Sequence, residues 1–213
     1  MSAFESKIDQ VFVALGDYRR AGKRIVVSSS FQTHSIPMLH MLQQLHPSLP
    51  IAFLDTGYHF PETIAFRDEI TELLKLNLVV VNGHEQKGAH SAGLYVTSET
   101  VCCNVNKVEP MNELLEPYDV WISGVRKDQT ANRQNFDSVM AGPSNTERYH
   151  PMLSWTDVDI ETYRATYDLP AHPLEVDGYT SIGCGPCTGL PTGAGRSGRW
   201  SDTEKTECGL HLV

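Results

Sequence analysis

Short apolar runs alternate with longer amphipathic stretches through the first two-thirds of the chain. This pattern constrains the fold more than any other feature. Ile8, Val11, Phe12 and Leu15 recur at the spacing of one helix face. Arg24-Ile-Val-Val-Ser28 then reads as a buried strand. Ile36, Leu39, Leu42 and Leu45 give a second helix, and Ile51-Ala-Phe-Leu-Asp55 a second strand. Pro61 suits the first position of a third helix, where its missing N–H costs nothing. Phe66, Ile70, Leu73 and Leu74 would face the core from it. Leu78-Val-Val-Val81 is a third strand. A helix is expected from Cys103 to about Glu116, and Val120-Trp-Ile-Ser123 is a fourth strand. Thr156 with Asp159 forms the capping box of one more helix. Strands separated by helices imply an α/β fold, a mostly parallel sheet with helices on both faces. Such sheets bind ligands beyond the carboxyl ends of their strands. Three segments fall there: Ser28-Ser-Ser-Phe-Gln-Thr33, Asp55-Thr-Gly-Tyr58 and Gly124-Val-Arg126.

The 213 residues suffice for one domain with a real core. From about Pro170 the periodicity ends, and Gly, Pro and Thr dominate from Gly178 to Gly198. A loop of that texture must be held by something other than a core. Lys and Arg number 17 against 26 Asp and Glu, a formal charge of −9. That argues against a general binder of nucleic acid, although a few local cations can still build an anion site. No apolar run approaches the roughly 18 residues that span a bilayer. The stretch Met1 to Phe12 has neither the basic nor the apolar region of a secretion signal. The expectation is a cytoplasmic protein, where five cysteines serve metals or catalysis rather than disulfides.

Four cysteines form two pairs, Cys102-Cys103 and Cys184-Gly-Pro-Cys187. The second pair has the spacing that lets two thiolates reach one metal centre. Adjacent residues do not easily place both sulfurs on one tetrahedral ion, but they can reach two irons of a cubane. A [4Fe–4S] cluster therefore fits the four better than zinc. Zinc, a redox disulfide and buried free thiols stay open as alternatives. Metal ligation would also fix a Gly/Pro-rich segment that lacks a core. Cys208 stands apart in Glu207-Cys-Gly-Leu-His211. A mobile tail suits a nucleophile that visits one partner and then another. Glu207 would raise its pKa.

Arg196 and Arg199 could grip an oxyanion with guanidinium forks, or be two solvated arginines. Lys107 could set a cation beside an anionic cluster, or lie on a helix surface. Arg126, at a strand end, could hold a phosphate or make a surface ion pair. Ser28, Ser29, Ser30 and Phe31 precede a helix and offer a phosphate cradle. They are not a Walker A loop.

Together these segments resemble the assimilatory sulfonucleotide reductases, the adenylyl-sulfate (APS) reductases and their phosphoadenylyl-sulfate (PAPS) relatives. The resemblance runs nearly the whole chain. It rests on Ser28 to Phe31, Leu54-Asp-Thr-Gly-Tyr58 through Thr63, Cys102-Cys103 with Lys107-Val-Glu-Pro110, Gly124-Val-Arg126, Cys184-Gly-Pro-Cys187-Thr188, Gly195-Arg-Ser-Gly-Arg-Trp200 and Glu207-Cys-Gly-Leu-His211. The order of the cysteine motifs is the specific part. PAPS reductases of the enteric type share the last motif and lack the four cluster cysteines, so all four together point to APS.

The resemblance implies an adenine nucleotide α-hydrolase-like fold. Residues 1–170 would form the nucleotide-binding part, and residues 171–213 the cluster-ligating loop and catalytic tail of the same domain. Ser28, Ser29, Ser30, Phe31, Asp55, Thr56 and Gly57 would line the nucleotide pocket. Lys107, Arg126, Arg196, Arg199 and His211 would surround the phosphosulfate. Cys102, Cys103, Cys184 and Cys187 would hold a [4Fe–4S] cluster, and Cys208 would be the nucleophile. The implied reaction reduces APS to sulfite and AMP through an S-sulfocysteine, in assimilatory sulfate reduction. Thioredoxin or a similar dithiol would be the donor. No nucleic acid or membrane partner is implied, and a homo-oligomer is left open. PAPS reduction or dual activity is the alternative, and an ATP-dependent sulfurtransferase of the same fold comes after it. The loop Ser28 to Ser35 lacks the glycines and aspartate of the related pyrophosphatases, which argues for binding rather than adenylyl transfer.

Overall fold

The structure, a computed structural model, describes residues 3–86, 88, 93–193, 195–200 and 205–211. Six strands form one sheet: β1 (Ile25–Ser28), β2 (Pro50–Asp55), β3 (Asn77–Asn82), β4 (Val120–Ser123), β5 (Val139–Ala141) and β6 (Glu147–Tyr149). Their order is β3-β2-β1-β4-β6-β5. All neighbours are parallel except β5, which closes one edge antiparallel to β6. The expected α/β sheet is thus present. Strands β5 and β6, three residues each, are too short to show a period in the sequence.

Alternation along the strands divides the core in two. Ile25, Val27, Ile51, Phe53, Val120 and Ile122 join one buried cluster. They meet α1 (Ala3–Arg20), α2 (Ile36–Leu45), α3 (Pro61–Leu74) and α7 (Asp157–Thr166) there. Val26, Ala52, Leu54 and Trp121 point the other way, onto Met111 and Leu115 of α6 (Glu109–Leu115) and onto Leu210. Helices therefore cover both faces, as a parallel sheet requires. Pro61 opens α3 and the Thr156–Asp159 capping box opens α7, both as the sequence predicts. Leu73 is a correction. It is 54% exposed, because the buried stripe of α3 runs Phe66, Ile70, Leu74 and leaves the adjacent position outward.

The helix expected after Cys103 is also corrected. The cysteines end a short helix, α5 (Glu99–Cys103), which follows α4 (Leu94–Thr97). A π turn, Asn104–Val108, then leads into α6. Pro110 has no N–H to return to the carbonyl of Asn106, and the wide turn accommodates that gap.

Strands β1, β2 and β3 step outward on one side, and β4 starts again on the other side of β1. At that reversal the loops after β1 and β4 diverge and leave a crevice at the strands' carboxyl ends.

Candidate active site

A cavity of about 680 Å³ occupies this crevice. The loop after β1 forms one wall. Ser28, Ser29 and Ser30 line it, and Ser29 Oγ accepts the N–H of Phe31 at 3.1 Å. Phe31 takes a left-handed backbone conformation, φ 53°, while its ring is fully buried edge-on to Phe53. A non-glycine residue there is strained, and burial of the ring holds the strain in place. Phe31 therefore acts as the loop's anchor and does not line the cavity. Asp55, Thr56 and Gly57 are not among the lining residues either. Asp55 accepts the Gly57 N–H at 2.9 Å, and Thr56 Oγ1 lies 3.2 Å from Cys184 Sγ.

The opposite walls are cationic. Lys107, Arg126, Arg196, Arg199, Cys208 and His211, all singled out from sequence, line the same cavity. So does Arg133, which sequence reasoning missed. Arg126 is 3% exposed and pairs with Asp157 at 2.6 Å, yet its Nη1 makes no hydrogen bond. A buried, unmatched guanidinium nitrogen calls for an anion. Arg199 is buried, donates to the Cys187 carbonyl at 3.0 Å and lies 4.4 Å over the Trp200 ring. A Cβ at Gly183 would collide with that guanidinium, so a side chain there would displace Arg199. Burial, with Arg133 and Arg199 nearby, pushes Arg196 down to about 10.

Residues 205–211 are docked, not free. Glu207 is 1% exposed and receives Arg133 through Nε at 2.7 Å and Nη2 at 2.6 Å. Thr130 donates to it at 3.0 Å and Arg196 Nη1 lies 3.4 Å away. Glu207 also accepts the Cys208 N–H at 2.9 Å. Its charge is spent on arginines, so the expected rise in the Cys208 pKa does not occur. Cys208 instead sits well below the ordinary thiol value. A hydrogen bond from the Cys103 thiol is the first cause, and Lys107, the Leu210 N–H and Arg199 add to it against burial.

A second, small cavity adjoins the first. Cys102, Cys103, Cys184 and Cys187 all line it, with Thr56, Tyr58 and Lys107. The loop bearing Cys184 is pinned beside β2 by an antiparallel bridge to His59 and by the Gly185 N–H on the Tyr58 carbonyl at 2.7 Å. Backbone bonds therefore fix part of the Gly/Pro-rich segment that has no core of its own. Among the described residues no three His, Cys, Asp or Glu side chains close on a point that could hold a metal ion. The four thiols share the lining of this space, and four thiolates are the donor chemistry of an iron–sulfur centre. Lys107 lines both cavities. Burial alone would lower it, but Cys184, Cys208 and Cys103 together hold it above its ordinary value. Lys205, a second cation missed in the sequence, reaches Cys103 Sγ at 3.1 Å.

The sequence model of one family, described as phosphoadenosine phosphosulfate reductase domain, matches residues 24–190. The adenosine 5'-phosphosulfate reductase of Chelativorans sp. (strain BNC1) is 42% identical over 212 residues, 95% of this chain and 84% of its own. The phosphoadenosine 5'-phosphosulfate reductase of Gloeobacter violaceus is 37% identical over 201 residues, 89% of this chain and 83% of its own. Among solved structures, phosphoadenylyl-sulfate (PAPS) reductase from Candida auris superposes with a TM-score of 0.67 at 18% identity, covering 87% of this chain and 97% of that one. FMN adenylyltransferase of Candida glabrata, in complex with FMN and an ATP analogue, gives 0.65 at 15% identity over 89% of this chain and 66% of that one. These two share the fold.

Proposed function

The chain belongs to the phosphoadenosine phosphosulfate reductase domain family, and from that premise we propose that it reduces APS to sulfite and AMP. One observation carries the reading: Cys208 lines the same crevice as Lys107, Arg126, Arg133, Arg196, Arg199 and His211. A thiol nucleophile stands among cations suited to a phosphosulfate.

The Cys208 thiolate attacks the APS sulfur, and the S–O bond to the AMP phosphate breaks. AMP leaves with the electron pair and the enzyme carries an S-sulfocysteine. The developing phosphate charge is met by cations already fixed in the crevice, which need not reorganise as the reaction proceeds. A dithiol donor such as thioredoxin then attacks Cys208 Sγ. Sulfite departs, and the donor's two thiols supply the two electrons as they become a disulfide.

Cys102, Cys103, Cys184 and Cys187 would hold the [4Fe–4S] cluster, which supplies a fixed, charged inorganic centre beside the crevice. With Cys103 committed to iron, Lys107, Arg199 and the Leu210 N–H remain to favour the Cys208 thiolate. Lys107, shared by both cavities, links the two charge systems.

Cys208→Ser is expected to abolish sulfite release from APS and a dithiol while nucleotide binding and iron content persist. Sulfite from that variant at the native rate would overturn the mechanism. The Gloeobacter violaceus relative, named for PAPS, supports PAPS as a second substrate. Steady-state rates with both nucleotides decide between them.

A further inference from the structure

We propose that Arg148 is a positioning residue that holds His211 as the neutral tautomer with its proton on Nε2, so that the ring offers the bound anion a hydrogen bond and not a transferable proton. Arg148 lies on β6, and no sequence motif marks it. It is 5% exposed, and its guanidinium lies 4.2 Å over the Trp121 ring. Among the described residues it has no carboxylate partner, and its Nε makes no hydrogen bond. Among the described residues, the hydrogen bond its side chain makes is from Nη2 to His211 Nδ1.

A guanidinium can only donate. Nδ1 must therefore present its lone pair, and the ring proton of neutral histidine must sit on Nε2. A buried guanidinium hydrogen-bonded to an imidazole rather than to a carboxylate is costly as a purely structural device. The charge makes sense if it keeps the imidazole neutral and oriented. Arg133, Arg196 and His150 also act on the His211 ring, while Glu207 and Cys208 act on Arg148. Glu207 is engaged by Arg133 and Arg196, so no free carboxylate draws a proton onto the ring. Burial, with Arg133, Arg148, Arg196 and His150, keeps His211 well below its ordinary value. Asn132 Nδ2 donates to the His211 carbonyl at 2.9 Å and fixes the backbone end of the residue. Because His211 lines the crevice, Nε2–H is the donor left for an oxyanion.

The role rests on the reductase reading, whereas the tautomer does not. Long-range ¹H–¹⁵N correlation on the ¹⁵N-histidine-labelled holoprotein reads protonation of each ring nitrogen, and loss of one pattern in His211→Asn assigns it. The native ring should show a protonated Nε2 and bare Nδ1 from pH 6 to 8. In Arg148→Met the ring should mix tautomers and protonate within that range, with kcat/KM down about tenfold or more and a new acid limb in its pH profile. Arg148→Lys, which restores a donor, should recover much of the Nε2–H signature. It also serves if the Met variant does not fold. A native ring that is cationic at pH 7 or carries its proton on Nδ1, or a Met variant with unchanged ring and pH profile, would overturn the proposal. If the reductase reading fails instead, the native protein makes no sulfite from either nucleotide while its ring pattern is unaffected.

Discussion

Glu207 shows how much one side chain can settle. A carboxylate buried to 1% exposure is costly unless fully paired, and Arg133 meets it through two nitrogens while Thr130 and the Cys208 N–H use its remaining lone pairs. The same group therefore docks residues 205–211 and aims Cys208. Glu207→Gln would leave Arg133 buried with its charge uncompensated, at about 3 kcal/mol of stability. Urea unfolding of the native and variant proteins measures this. A loss under about 0.5 kcal/mol, in the range of ordinary surface substitutions, would show that the pair does not dock the tail. Cys208, Lys107, Arg126, Arg196, Arg199 and His211 were legible in the sequence because their motifs keep them within short segments. Arg133, Arg148 and Lys205 were not, because each acts through a partner between 63 and 102 positions away in the chain.

At the scale of elements, the π turn Asn104–Val108 joins the cysteines to the crevice. Asn106 is fully buried in it. Its Oδ1 accepts the Glu85 N–H at 3.1 Å, and its Nδ2 donates to Glu85 and approaches Cys102 Sγ at 3.6 Å. The strand that ends at Asn82 passes so close to Asn106 that Gly83 has no room for a Cβ. Gly83→Ala is expected to push this turn away from β3 and lower stability by about 1–3 kcal/mol, as overpacking does. Iron bound per chain should fall with it. Thermal unfolding and iron assay together check this, and native values in both would mean that the close approach constrains nothing. The sequence carried a signal for the turn in Pro110, but a helical period read straight through it. The loop Ser28 to Phe31 was placed correctly at a strand end. That Phe31 anchors it from the core side was not legible, because strain is a property of φ and not of residue type.

Across the whole molecule, two buried histidines couple stability to pH. His150 is 1% exposed with Nδ1 2.9 Å from Ser123 Oγ. His172 is fully buried between the Leu174 N–H and Thr63 Oγ1. Burial pushes both down to about 4, against 6.5 for a free imidazole. The unfolded chain thus takes up protons below about 6.5 that the folded one refuses until about 4. Their contribution is whole above 6.5 and is lost as pH falls through that window. Stability measured from pH 7 to 4.5 should decline steadily. His172→Gln should remove about one proton from the slope. An unchanged slope in that variant would show that His172 does not titrate as described.

Alternating apolar runs determined the α/β class by themselves, because the spacing of buried positions is a local property of strand and helix geometry. The cysteine spacing pointed to a metal centre for the same reason, being a short stretch whose residue types state a chemical need; sulfonucleotide chemistry was implied by the family resemblance those motifs carry. Only the tertiary structure decided that Lys107 stands in two cavities at once, that the tail is seated by Glu207, and that an arginine on a three-residue inner strand meets the imidazole of His211. These facts depend on distance in space between segments far apart in the chain, and one sequence holds no record of that distance.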